Sequence, residues 1–147
     1  MSEQFGAVVH AHQPGWFDLV SVMIDGMLAN AGQEEAEAFL YSMGDTLAQR
    51  YPLAEALTVQ DLEREMNLQL VRFQWGFVQL QPLDDAILLK HHALPAGDNT
   101  LDPASWQAAL AAMFGGLYAG WLHAQGGKAA MPVRLELNDG NTLHYRY

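Results

Sequence analysis

The sequence predicts an α+β fold: N-terminal helices and a long Gly-rich C-terminal helix packed on a four-stranded antiparallel sheet made of two hairpins. Three observations carry that prediction. Apolar residues recur at helical spacing in successive segments before residue 75. At Trp75-Gly76 the period switches to two, and a Pro82-Leu83-Asp84-Asp85 turn separates two strand-like runs. A second alternating pair flanks Asp139-Gly140, a hairpin turn signal. Helices segregated to one face of an antiparallel sheet satisfy this order of elements.

Residues 1–15 read as an irregular segment closed by Gln13-Pro14-Gly15, and residues 16–147 as one domain. A first helix is expected over residues 17–29. Phe17, Val20, Ile24, Met27 and Leu28 form one stripe, yet Leu19, Val22 and Met23 lie off it. A helix apolar on more than one face is either deeply buried or part of an interface. Gly32 ends it. Residues 33–51 form a second helix, with Ala36, Phe39, Leu40, Met43 and Leu47 at helical spacing. Glu34, Glu35 and Glu37 in its first turn and Arg50 in its last suit the macrodipole, and Pro52 stops it.

Thr58 is the expected N-cap of a third helix, whose Leu62, Met66, Leu70 and Phe73 share a face. Gly76 breaks it, residues 77–81 alternate as a strand, and residues 86–92 return as its hairpin partner. Asp102-Pro103 opens the last helix, with proline at its first position. It runs to about residue 124, before Gly126-Gly127. Val133, Leu135 and Leu137 alternate with Arg134 and Glu136, and Leu143, Tyr145 and Tyr147 complete the second hairpin.

Composition narrows the functional classes. Half of the 147 residues are hydrophobic and 16% are charged, which suits a packed domain. With a net charge of −10 and 7 Lys+Arg, the chain repels phosphate backbones, so nucleic acid is excluded as a partner. No cysteine is present, which removes disulfides, thiolate metal sites and thiol catalysis. No apolar run is long enough for membrane insertion. Residues 1–20 show no basic region followed by an apolar core and cleavage site, so a cytoplasmic location is expected.

Catalytic constellations are weak. A glycosidase needs two acids positioned in a cleft. The sets Glu34/Glu35/Glu37 and Asp61/Glu63/Glu65 read as solvated helix faces, and Asp84/Asp85 as a turn. No serine has nucleophile-elbow context and no glycine-rich phosphate loop occurs. His10, His12, His91 and His92 lack a completing ligand, and alternation points His91 and His92 to opposite sheet faces, so no metal or other cofactor is expected. Trp75 and Trp121 read as core or interface; Trp16 and Trp106 read as partly exposed. In the last helix Ala108, Ala112, Gly116 and Gly120 recur every four residues. This ridge almost without side chains needs a compensating close contact, either with the domain's own sheet or across a subunit interface, because helical glycine costs about 0.5–1 kcal/mol each. Phe17, Met23, Ala112, Gly116 and Gly120 are the candidate oligomer-interface residues.

One resemblance gives these features a context. Leu62, Glu65, Asn67 and Leu70 lead into Trp75-Gly76-Phe77-Val78-Gln79-Leu80, then Asp84-Asp85, a strand and Leu94-Pro95. Gly116-Leu117-Tyr118-Ala119-Gly120-Trp121 follows in the last helix. In order and spacing, residues 16–147 resemble the D subunit of bacterial cellulose synthase, with one glycine displaced by one position. The resemblance implies a non-catalytic accessory subunit that forms an octameric ring of four dimers. It implies partnership with cellulose synthase complex subunits, with a proline-rich accessory protein, and with β-1,4-glucan chains guided through the ring. N-terminal segments would line the passages, which makes Ser2, Glu3, Gln4, Phe5 and Trp16 the candidate glucan contacts. The family is often assigned to the periplasm, the alternative to the cytoplasm. The element order also looks like the vinyl-reductase-like fold, which implies instead a regulatory or tethering module holding a small molecule.

Overall fold

The computed structural model describes residues 14–97, 101–127 and 131–147. Among the described residues, four helices and a four-stranded antiparallel sheet follow the predicted order, and the α+β class holds. The helices are α1 (Trp16–Ala31), α2 (Gln33–Arg50), α3 (Val59–Phe73) and α4 (Pro103–Ala124). The strands are β1 (Phe77–Pro82), β2 (Ile87–His92), β3 (Arg134–Asn138) and β4 (Leu143–Arg146), in the sheet order β1-β2-β4-β3.

The caps are where local chemistry places them. Gly32 sits between α1 and α2 at φ 84°, and its N–H donates to the Leu28 carbonyl at 3.2 Å. The Thr58 hydroxyl accepts from the Asp61 N–H at 3.0 Å to start α3. The Asp102 carboxylate does the same for Ser105 at the start of α4. Gly76 turns the chain from α3 into β1 at φ 88°, and a Cβ there would strike the carbonyl oxygens of His92 and Ala93. Only glycine meets both demands.

Helix α4 is the centre of the core. Phe114, Leu117, Tyr118 and Trp121 are buried on it, against Met66 and Leu70 of α3 and Val78, Leu89, Leu143 and Tyr145 of the sheet. Two of the core's aromatic polar atoms are satisfied by distant carbonyls. The Trp121 indole donates to the Tyr51 carbonyl at 2.9 Å, and the Tyr145 hydroxyl donates to the Ala111 carbonyl at 2.6 Å.

Ridge residues Gly116 and Gly120 face α2 of the same chain. A Cβ on Gly116 would collide with the Tyr41 carbonyl, one on Gly120 with Ala48 and Asp45, and one on Gly44 with the Met113 carbonyl. Glycines on both helices therefore let the α2 and α4 backbones touch.

Sequence expectations change at Trp106 and in β3. Trp106 is buried rather than partly exposed, because its ring meets Phe17 at 4.9 Å and its indole donates to the Pro95 carbonyl at 2.9 Å. The alternation of β3 breaks at a bulge. Leu135 stands opposite Tyr145, but Leu137 stands opposite His144, so Glu136 is the extra residue. Leu135 thus faces the helices, whereas Leu137 joins the outer face with Phe77, Lys90, His92, His144, Arg146 and Arg134.

Candidate interaction surfaces and the buried polar core

Helix α1 packs mainly on α2, and among its described side chains only Ser21 and Ile24 are fully buried. Phe17, Met27 and Leu28 touch the core from its margin. The other apolar residues point out: Trp16 is 84% exposed, Val22 67% and Met23 54%, with Leu19 and Val20 close behind. Phe39 and Met43 of α2 extend this surface. Between the helices runs an apolar groove of about 490 Å³, lined by Met23, Met27, Ala31, Glu35, Ala36 and Phe39. In water such a continuous apolar face is unfavourable and marks an interaction site.

A second depression of about 600 Å³ lies where α2, α4 and β3 meet. Ala108, Ala112 and Gly115 form its floor, Tyr41 and Leu135 its walls, and Glu37 its charged rim. Small residues on α4 leave this space, so the ridge serves two ends. Gly116 and Gly120 admit α2, while Ala108 and Ala112 remain beside an open trough.

The sheet edge at β1 is closed by α3. The Asn67 amide accepts from the Val78 N–H at 2.8 Å and donates to the Val78 carbonyl at 2.9 Å. One turn earlier on α3, the Glu63 carboxylate accepts from the Leu80 N–H at 2.7 Å. Pro82, next in the alternation, has no N–H to satisfy. Glu63 is therefore an edge cap and not a solvated acid. The i, i+4 spacing of Glu63 and Asn67 ahead of a strand is the signal that could have found it.

Inside the sheet, His91 is fully buried. Its Nε2 is 2.7 Å from the Trp75 carbonyl and its Nδ1 meets the Tyr118 hydroxyl. A carbonyl can only accept, so Nε2 carries the proton and Nδ1 accepts from Tyr118. Burial lowers the His91 pKa to about 4, outweighing the Trp75 carbonyl, which favours the charged form. Burial likewise pushes the Tyr118 and Tyr145 hydroxyls well up. With both ring nitrogens engaged, this His–Tyr pair locks α4 to β2. His92 lies on the opposite face as expected, stacked on Phe77 at 5.1 Å and bonded to Gln79 at 2.8 Å.

The remaining sequence candidates are placed as follows. Trp16 is exposed at the start of α1, Phe17 is half-buried against Trp106, and Met23 lines the α1–α2 groove. Ala112 lies in the trough, and Gly116 and Gly120 are buried. Trp121 is core and Trp75 is half-buried, stacked on Phe73 at 4.6 Å. Ser2, Glu3, Gln4, Phe5, His10 and His12 lie outside the described residues. Among the described residues no group of three or more His, Asp or Glu could hold a metal ion, and no helix is long and apolar enough to cross a membrane.

The family model for the D subunit of cellulose synthase matches residues 4–147. Two relatives, both named cellulose synthase operon protein D, come from Komagataeibacter xylinus and Komagataeibacter sucrofermentans. Each is 32% identical over 100 residues, covering 66% of this chain. The matched region spans 62% of each relative's own length.

Proposed function

The chain belongs to the family of cellulose synthase D subunits, and from that premise we propose that it is a non-catalytic accessory subunit of a bacterial cellulose synthase complex. It acts as a homo-oligomer, an octameric ring of four dimers. The ring organises synthase complexes, guides nascent β-1,4-glucan chains for export and crystallisation, or does both. The observation that carries the multimer is the exposed apolar face of α1 and α2, from Trp16 through Val22 and Met23 to Phe39. A face of that kind is stable in water only when covered.

Among the described residues the buried His91 is fully bonded, and Glu63 and Asp102 cap the β1 edge and the start of α4. A conduit that must release its chain needs weak, repeated contacts rather than a tight pocket. Ser2, Glu3, Gln4, Phe5 and Trp16 supply them in this proposal, with Phe17, Met23 and Ala112 nearer the oligomer contacts. The scaffold form of the role belongs in the cytoplasm, beside the synthase and a proline-rich partner. The conduit form belongs in the periplasm.

Light scattering after size-exclusion chromatography tests the ring directly, and a mass of about eight chains is expected. In a cellulose-producing host that lacks its own copy of this accessory protein, the chain restores ordered cellulose, and deletion of residues 2–12 weakens that rescue without loss of soluble protein. A stable monomer, together with a co-purifying small molecule in the trough floored by Ala108 and Ala112, would replace this proposal with the ligand-binding alternative.

A further inference from the structure

The outer face of the sheet is unlike the rest of the molecule. Of 7 Lys+Arg in the chain, Lys90, Arg134 and Arg146 stand together there, against a net charge of −10 overall. Register makes the grouping close. Arg134 stands directly opposite Arg146, and Lys90 directly opposite His144. Like charges opposite each other across strands are destabilising. The bulge brings Glu136 within 3.2 Å of Arg146, but among the described residues Lys90 and Arg134 have no ion-pair partner. Exposed Phe77 and Leu137 add apolar surface to the same face.

The α1–α2 groove is the opposite in charge and alike in its apolar content. Its apolar wall is Met23, Met27 and Phe39, and Glu35 lies on its rim. Glu34 is exposed beside Glu35, and neither has an ion-pair partner among the described residues. One face thus offers unpaired cations beside Phe77 and Leu137. The other offers unpaired carboxylates beside Met23 and Phe39. They lie on different elements of one chain, so a second copy can satisfy each.

We propose that the outer sheet face of one copy docks on the α1–α2 groove of the next, with Lys90 and Arg134 meeting Glu34 and Glu35. This contact is head-to-tail, using two different surfaces, and such contacts build rings when the rotation closes. It rests on the multimer proposed above and specifies one of its interfaces. The charge pairing fixes orientation and the apolar residues are desolvated between the copies.

The test is mass by light scattering at about 0.02 M and about 0.5 M salt, since exposed charge pairs are screened at the higher value. Three proteins are compared: wild type, the Lys90→Glu/Arg134→Glu pair and the Glu34→Lys/Glu35→Lys pair. Each double variant alone is expected to fall to a smaller species than wild type at low salt. An equimolar mixture of the two recovers the wild-type mass, because the two unchanged faces pair with each other and the two reversed faces, opposite in sign to one another, pair as well. The milder Lys90→Gln/Arg134→Gln pair gives a partial loss, and circular dichroism checks that every variant is folded. If both reversals keep the wild-type mass, or if mixing restores nothing, this interface is wrong while the multimer stands. If wild type is monomeric at both salts, both proposals fail together.

Discussion

Helices α1 and α4 carry the same kind of sequence and meet opposite fates. Both are apolar on nearly every side, and each has one Asp or His in its second half: Asp25 in α1 and His123 in α4. Helix α4 finds α2 on one flank and the sheet on another, and from Phe114 to Leu122 every residue is buried. Helix α1 finds mainly α2, and its outer faces stay in water. An all-round apolar helix therefore does not by itself mean core. It means that neighbours are required, and the chain supplies them for one helix and leaves them to another molecule for the other.

The largest effect should come from breaking the α4 side. Gly116→Val places a branched side chain where the Tyr41 backbone already sits, and no rotamer relieves a clash with main chain. We expect a loss of more than about 4 kcal/mol, seen as insoluble or unfolded protein. The equivalent change in α1 is Gly26→Ala. A Cβ there meets nothing within 4 Å, so the change should raise the denaturant midpoint, by about 0.5–1 kcal/mol of stability, through helix propensity alone. Equal effects from the two substitutions would dissolve the contrast between the helices.

The next effect concerns the polar lock beneath α4. His91→Ala leaves the Tyr118 hydroxyl and the Trp75 carbonyl without their partner and opens a cavity. A cost of about 3 kcal/mol follows, measurable by urea denaturation. The same residue gives stability a pH dependence. Burial sets its folded pKa at about 4, against about 6.5 in the unfolded chain. Between those values the unfolded chain binds the proton and the folded chain does not. The contribution is complete above about pH 6.5 and declines as pH falls toward 4, reaching about 3 kcal/mol of lost stability at the limit. Urea midpoints at pH 7 and pH 4.5 should differ more for wild type than for His91→Ala. An identical difference in both proteins would mean that His91 does not titrate as its burial requires.

What could be read in advance follows the range of the interactions. The Thr58 cap, the Asp102-Pro103 start and the Gly76 break act within a few residues, and they set the elements where expected. The ridge of Gly116 and Gly120 was visible, but its partner was not. Gly44 looks like an ordinary helical glycine until α2 is laid on α4. Trp106 is buried by Phe17 and by the Pro95 carbonyl, and neither contact leaves a periodic trace. The run from Val133 to Leu137 alternates without a flaw in sequence, yet the bulge at Glu136 moves Leu137 to the other face. A bulge is set by pairing with β4, which the alternation of one strand does not encode. The outer-face cations were equally hidden, because Lys90, Arg134 and Arg146 become neighbours only in the register of three strands.

The smallest effect on folding should come from the α1 side, and it bears most directly on function. Val22→Lys with Met23→Glu replaces two exposed apolar residues by charges that remain in water in the single chain. Surface changes of this kind move intrinsic stability by less than about 0.5 kcal/mol. Measured at concentrations where wild type is also dissociated, the thermal transition should barely shift. Measured where wild type is assembled, the variant should show a smaller mass and a lower transition, because the stabilisation contributed by association is lost. That pairing of results separates a helix that holds the chain together from one that holds chains to each other. A variant that keeps the wild-type mass would show that α1's apolar face is covered by neither partner nor copy through these two residues. A variant that unfolds when dissociated would place α1 with α4, as part of the core after all.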